Sequence, residues 1–367
     1  MPDIDPLALT RHVLWLAFAF GGLFGVVAQR THFCTMGAVA DIVSMGDWTR
    51  LRMWVLAIAV AVLGFNAMVG LGWVQAGKTL YATPRLAWLS LVVGGALFGF
   101  GMVIASGCGS RNLVRLGGGN LKSLVVLIVL GLAGFATLKG ITGSLRVATV
   151  DQVAVTLPTG QDLPSLLSAT TGTSAQTLAW WLGTAVAALL VAWVLWRPEG
   201  RRAPVWLGGL GVGAVVVGLW WVSGTVGHLA EDPRTLEEAF LATNSHRMES
   251  LSTVAPIAYG LDWLLYFSDA SQTLSFGIVT MLGIVLGAAA SALASRSFRL
   301  EGFGNASDLA HHLVGATLMG VGGVTAVGCS IGQGLSGVST LSVGSMLALA
   351  AILGGTWLGL RYQEWRL

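Results

Sequence analysis

A chain of 367 residues that is 54% hydrophobic and 10% charged, with a formal net charge of +3, is not an ordinary soluble domain. Its mean hydropathy of +0.76 and its 51 glycines suit helices packed closely in lipid. Three cysteines cannot pair off, so a disulfide framework is not expected. No nucleic-acid partner is expected either.

The sequence predicts an all-α integral membrane protein of nine or ten spans plus short re-entrant half-helices. Spans need roughly 20 apolar residues, and candidates lie near 12–28, 53–74, 86–106, 121–139, 176–196, 203–223, 253–268, 272–294, 309–327 and 341–361. The first run, from Val13 to Ala28, lacks an A-x-A cleavage site, so no removable leader is expected. Segments 12–28 and 253–268 are short enough to be partial spans. Residues 140–175 read as a long loop on one aqueous face. Residues 231–249 are polar, and Asp232 followed by Pro233 predicts an interfacial or extramembrane helix there. Arg197, Arg201 and Arg202 belong on the cytoplasmic side by the positive-inside rule. Alternation then puts Arg30, Arg50, Arg52, Arg111, Arg115 and Lys122 inside as well, and the 140–175 loop outside.

One stretch is written twice. A shift of 221 positions carries Gly94, Gly99, Gly101, Ala105, Gly107 and Cys108 onto Gly315, Gly320, Gly322, Ala326, Gly328 and Cys329. A weaker match at 266 relates Gly21, Ala28 and Arg30 to Gly287, Ala294 and Arg296, with Leu300 where a partner of Cys34 would fall. The whole chain, 1–367, is therefore expected to be one transmembrane domain built from two internal repeats. These run over about 12–140 and 275–361, joined by a region of about 141–270. Paired halves with interrupted helices are common in transport folds.

All three cysteines, Cys34, Cys108 and Cys329, sit where a glycine-rich apolar run breaks into small polar residues. Each predicts a helix, a break at the cysteine, and a half-helix. Broken backbone at membrane depth persists only against protein or a polar cavity. The starts of half-helices aim free N–H groups and positive dipole ends at that cavity, which favours an anion. Thiols add weak, polarizable donors suited to a soft sulfur atom. Residues that frame the breaks are candidate supports: Gly107, Gly109, Ser110, Arg111, Gly328, Ser330, Gln333 and Thr35, with Arg30 at a pathway mouth. Ser110 is expected to cap the half-helix after Cys108.

Other chemistries fit less well. No C-x-x-C is present, and no Asp or Glu occurs from Trp48 through Val150 or from Leu309 to Gln363. Positive potential without carboxylates repels cations, so neither a metal nor another cofactor is expected. Asp308, His311 and His312 look only vaguely metal-like, since adjacent histidines point apart on a helix. A phosphatase-type loop would need Arg six residues after Cys108, where Val114 stands. A covalent role remains open, because Arg111 can lower a thiol pKa. Many of the fifteen tryptophans lie near span ends, as an aromatic belt does.

At GVVAQRTHFC ending in Cys34, ASGCGSRNLVRLGGGN around Cys108, and GVTAVGCSIGQGLSG around Cys329, the sequence resembles the YeeE/YedE family of sulfur transporters. The resemblance implies an hourglass-shaped helical protein of the bacterial inner membrane, and not an enzyme. It implies inward passage of thiosulfate or a related sulfur anion by S–H hydrogen bonds to three thiols, mapped by motif onto Cys34, Cys108 and Cys329. It also implies a small cytosolic sulfurtransferase of the TusA type as the receiving partner. A membrane sulfurtransferase with a persulfide on Cys108, or transport of another sulfur or selenium species, is the alternative.

Overall fold

The computed structural model describes residues 5–233, 235–269 and 272–366. In chain order its helices are α1 (Pro6–Thr31), α2 (Thr35–Met45), α3 (Thr49–Gly70), α4 (Trp88–Ile104), α5 (Gly109–Gly117), α6 (Leu121–Lys139), α7 (Ile141–Ala148) and α8 (Leu163–Thr171). There follow α9 (Ala175–Leu195), α10 (Ala203–Trp221), α11 (Val254–Leu265), α12 (Phe276–Ala294), α13 (Ala306–Thr325) and α14 (Val343–Arg366). Most of the long helices begin on side-chain caps that satisfy their first N–H groups: Asp5, Asn120, Ser174, Ser275 and Asn305 all accept from the next turn.

Eight segments are long and apolar enough to cross a membrane. Two of the ten expected spans behave differently. Helix α13 has 20 residues, but Asp308, His311 and His312 in its opening turns dilute its hydropathy. The 253–268 segment is helical for only 12 residues, α11, or about 18 Å at 1.5 Å per residue, too short for a hydrocarbon core of about 30 Å.

Glycine sets the distances between helices. An added Cβ at Gly99 of α4 would stand 2.1 Å from the Ile352 carbonyl oxygen of α14, and one at Gly320 of α13 would stand 2.5 Å from the Leu130 carbonyl oxygen of α6. Such backbone-to-backbone approach is how helices associate in lipid, where no hydrophobic force separates them from the solvent. The α4–α13 contact is antiparallel and reciprocal: Gly94 faces the Ala326 amide and Gly315 faces the Ala105 amide, each 2.5 Å from the position of a Cβ. Helices α1 and α12 do the same, with Gly21 on the Thr280 oxygen (2.2 Å) and Gly283 on the Phe18 oxygen (2.3 Å). Their reciprocity runs at a separation of 262, about one helical turn from the 266 match in the sequence.

Because Gly94 sits level with Ala326 and Ala105 level with Gly315, α4 and α13 end at opposite depths. Eleven residues separate Gly94 from Ala105, so the two breaks are about 16 Å apart along the helix axes.

The 140–175 connection is folded rather than open. It forms α7, α8 and a strand, β2 (Val155–Thr156), paired with β1 (Arg85–Leu86), and Asp162 bridges to Ser342. The helix expected over 231–249 does not form. Leu236 adopts a left-handed conformation (φ 59°), the Leu236 amide donates back to Asp232, and the chain makes a hairpin of β3 (His228–Leu229) and β4 (Ala239–Phe240). Asp232 thus starts a turn, not a helix.

Candidate functional site

Three local breaks share one backbone device. Two residues before each cysteine stands a non-glycine residue in the left-handed region: His32 (φ 53°), Ser106 (φ 57°) and Val327 (φ 55°). Each such residue costs roughly 1–2 kcal/mol, so the surrounding fold must hold it. At the two repeated breaks it is held by matching bonds. The Gly107 amide donates to the Met102 carbonyl and the Gly328 amide to the Gly323 carbonyl, both at 2.8 Å. The helix is thereby terminated and the cysteine turned to the head of the next element.

At those heads the sulfurs accept hydrogen bonds that cap residues usually take. Cys34 is the N-cap of α2 and its Sγ accepts from the Gly37 amide at 3.3 Å. Cys329 Sγ accepts from the Gly332 amide at 3.2 Å, opening a π-wound turn over Gly332–Gly337. Cys108 occupies the N-cap of α5, while Ser110, expected there, lies two residues on with its Oγ 3.3 Å from Cys108 Sγ. All three thiols are buried and unpaired with one another.

Cationic side chains cluster at the Cys34–Cys108 end. Arg111, in the first turn of α5, acts electrostatically on both sulfurs. Among the described residues no carboxylate or hydrogen-bond acceptor pairs with it. Arg50 lies across Gly37 and pairs with Asp41 (Nε to Oδ2, 3.2 Å). Arg115 Nη1 donates to the Ser106 carbonyl at 2.7 Å, satisfying an oxygen that the broken helix leaves free.

Two cavities approach the sulfurs. One, of about 1090 Å³, is lined by His32, Ser106, Arg111, Arg115, Lys122 and Arg299 among others. Its carboxylates are tied, Glu301 to Asn120 at 2.7 Å and Asp308 to Lys122 at 2.6 Å. The second, of about 890 Å³, reaches Val327 and Gly328 and is lined by Tyr81, Arg146, Glu249, Ser252 and Tyr259. Burial pushes the Tyr81 phenol well above its usual range, so it stays a donor, and burial also raises Glu249. Between the two ends sits Thr253, which donates to Cys329 Sγ at 3.2 Å.

The family described as "Sulphur transport" matches residues 30–358. The chain belongs to the sulphur-transport family. It is 27% identical over 347 residues to the thiosulfate transporter TsuA of Escherichia coli (strain K12), covering 92% of this chain and 91% of that protein. Against the thiosulfate transporter TsuA of Spirochaeta thermophila it is 27% identical over 356 residues, covering 94% and 97%. It is also 31% identical over 110 residues to the probable transporter YedE of Escherichia coli, covering 29% of this chain and 25% of that protein. This sulphur-transport protein is a multi-pass protein of the bacterial inner membrane, and a transporter rather than an enzyme.

Most of the residues singled out in the sequence surround the transporter's three sulfurs. Gly109 opens α5 against Thr253, with Oγ1 2.7 Å from the position of a Cβ. Gly107 packs on Arg111, and Gly328 on Gln333. Gln333 Nε2 donates to the Ala326 carbonyl at 2.6 Å. The side-chain oxygens of Thr35, Ser330 and Gln333 are buried with no hydrogen-bond partner in the structure, which leaves polar capacity beside the cysteines. Arg30 is exposed and lies outside the lining of both cavities; Gln29 and His32 point in instead. No group of three His, Cys, Asp or Glu among the described residues is arranged to hold a metal ion. The sequence also undersold Asn112, whose amide donates to the Gly107 and Cys108 carbonyls (2.9 and 3.0 Å) and which the 221 shift carries onto Gln333. Thr253 and Tyr81 carry no sequence signal of this kind.

Proposed function

We infer that this transporter carries thiosulfate inward, the ion passing Cys329, Cys108 and Cys34 in turn by S–H hydrogen bonds with no covalent bond broken. The observation that carries this reading is the common setting of the sulfurs. Each buried thiol stands at the head of a helical element, where N–H groups and the dipole stabilise a negative guest. Arg111, without a carboxylate partner among the described residues, supplies the net attraction beside Cys34 and Cys108. Its relatives named as thiosulfate transporters support the choice of ion. Thiosulfate presents both oxyanion and soft sulfur, so amides and guanidinium meet the one and thiols the other. Weak, repeated contacts suit passage, since a tight site would trap the ion.

Direction and assembly follow the same logic. Arg50, Arg52, Arg111, Arg115 and Lys122 occupy the end opposite the α7–α8 lobe, and by the positive-inside rule that end is cytoplasmic. A TusA-type sulfurtransferase would receive the ion at the basic cavity. The reciprocal α4–α13 and α1–α12 contacts support two halves of inverted topology, because helices equivalent under the repeat run antiparallel.

Uptake of ³⁵S-labelled thiosulfate into cells lacking other importers tests the relay. Cys34→Ala, Cys108→Ala and Cys329→Ala should each abolish it while the protein remains in the membrane at normal yield. Full uptake by all three variants would overturn the thiol route.

A further inference from the structure

We propose that Thr253 is the positioning residue that divides the two halves of the pathway and hands the anion between Cys329 and Cys108, a role that rests on the relay above. Thr253 is fully buried and stands at the N-cap of α11. A threonine there normally accepts a hydrogen bond from the second or third helical amide. Thr253 makes no such bond. The third helical residue is Pro256, which has no N–H to give, so one of the two usual partners has been removed. The hydroxyl proton instead goes to Cys329 Sγ at 3.2 Å.

Its other neighbour is the start of α5. The place of a Cβ on Gly109, directly after Cys108, lies 2.7 Å from Thr253 Oγ1, and any side chain there would collide with it. One hydroxyl thus touches the sulfur reached from the Tyr81 cavity and the backbone of the element that carries the next sulfur. A hydroxyl is both donor and acceptor, and it can rotate without moving the backbone. While the route is empty its proton rests on Cys329. When an anion reaches Cys329, the O–H turns to the guest beside the S–H of the sulfur, and presents the anion to the N–H groups and thiol at the head of α5. Thr253→Val keeps the shape and removes the donor; Thr253→Ser keeps the donor.

The experiment measures labelled thiosulfate uptake by Thr253→Val and Thr253→Ser beside Cys108→Ala and Cys329→Ala. Thr253→Val should lower maximal uptake at least tenfold, and Thr253→Ser should stay within about threefold of the unaltered chain. In a Cys34→Ala/Cys108→Ala background, Thr253→Val should also lower the rate at which N-ethylmaleimide labels Cys329 several-fold, because the thiolate that reacts loses one hydrogen-bond donor and keeps only the Gly332 amide. Should the valine variant fail to assemble, Thr253→Ala carries the same expectations. Normal uptake by Thr253→Val, or equal loss in Thr253→Ser, with the cysteine variants inactive overturns the role of Thr253 and leaves the relay standing. Normal uptake by the cysteine variants overturns the relay itself.

Discussion

Single residues decide what the site attracts. Arg111 is half-buried beside two sulfurs and has no carboxylate partner, so its charge is available to a guest. Arg111→Gln should raise the half-saturation concentration for thiosulfate on the order of tenfold, about 1.4 kcal/mol, and leave yield unchanged. Arg111→Lys should fall between the two, since a point charge lacks the planar fork. An unchanged half-saturation constant in both variants would remove Arg111 from anion capture. The cysteines and their glycines were legible in the sequence because one motif recurs around a rare residue. Thr253 was not, because its importance comes from a contact across 76 residues with Cys329, and a lone threonine before an apolar run looks like any helix cap.

At the scale of elements, packing glycines and broken helices govern the fold. Gly99 meets the backbone of α14, whereas Gly354 has nothing within 4 Å of where a Cβ would be. Gly99→Ala should destabilise by about 1–3 kcal/mol through overpacking, seen as a lower melting temperature in detergent, and Gly354→Ala should change little. Equal melting of the two would refute glycine-mediated packing of α4 on α14. The hairpin β3–β4 is fastened by Glu238, which holds Lys78 and His228. The hydrogen bond from Lys78, then that from His228, keeps the Glu238 carboxyl below its usual range. Its contribution is therefore complete above the ordinary carboxylate pKa and is lost as pH falls through the lowered one. Hydrogen exchange over 228–240 should be constant, after correction for intrinsic rates, from about pH 7 to pH 5, and protection should decline only below about pH 4. The long helices were readable from hydropathy alone. The hairpin was misread as a helix because Asp232-Pro233 is also a good turn opening, and local pattern does not distinguish the two. The lobe of α7 and α8 was read as loop because its helices are short and anchored by tertiary contacts such as Asp162 with Ser342.

Across the whole molecule, the two breaks that follow α4 and α13 stand at opposite ends of one antiparallel helix pair. The α4 and α13 breaks enter from opposite depths, and Thr253 stands beside the elements that follow both, donating to Cys329 Sγ and lying against Gly109. The sequence could not say that equivalent helices run antiparallel, since repeat spacing carries no direction.

Helix α11, only 12 residues long, descends from Thr253 and stops partway. An apolar cleft of about 980 Å³ opens between α6, α11 and α12, with Leu113 and Leu116 of α5 also in its wall. Such a space suits acyl tails in a bilayer, and Leu113 and Leu116 make the half-helix that follows Cys108 part of its wall. Flux in proteoliposomes should therefore vary with acyl chain length at fixed headgroup, because a thinner or thicker hydrocarbon layer changes how those tails press on α5.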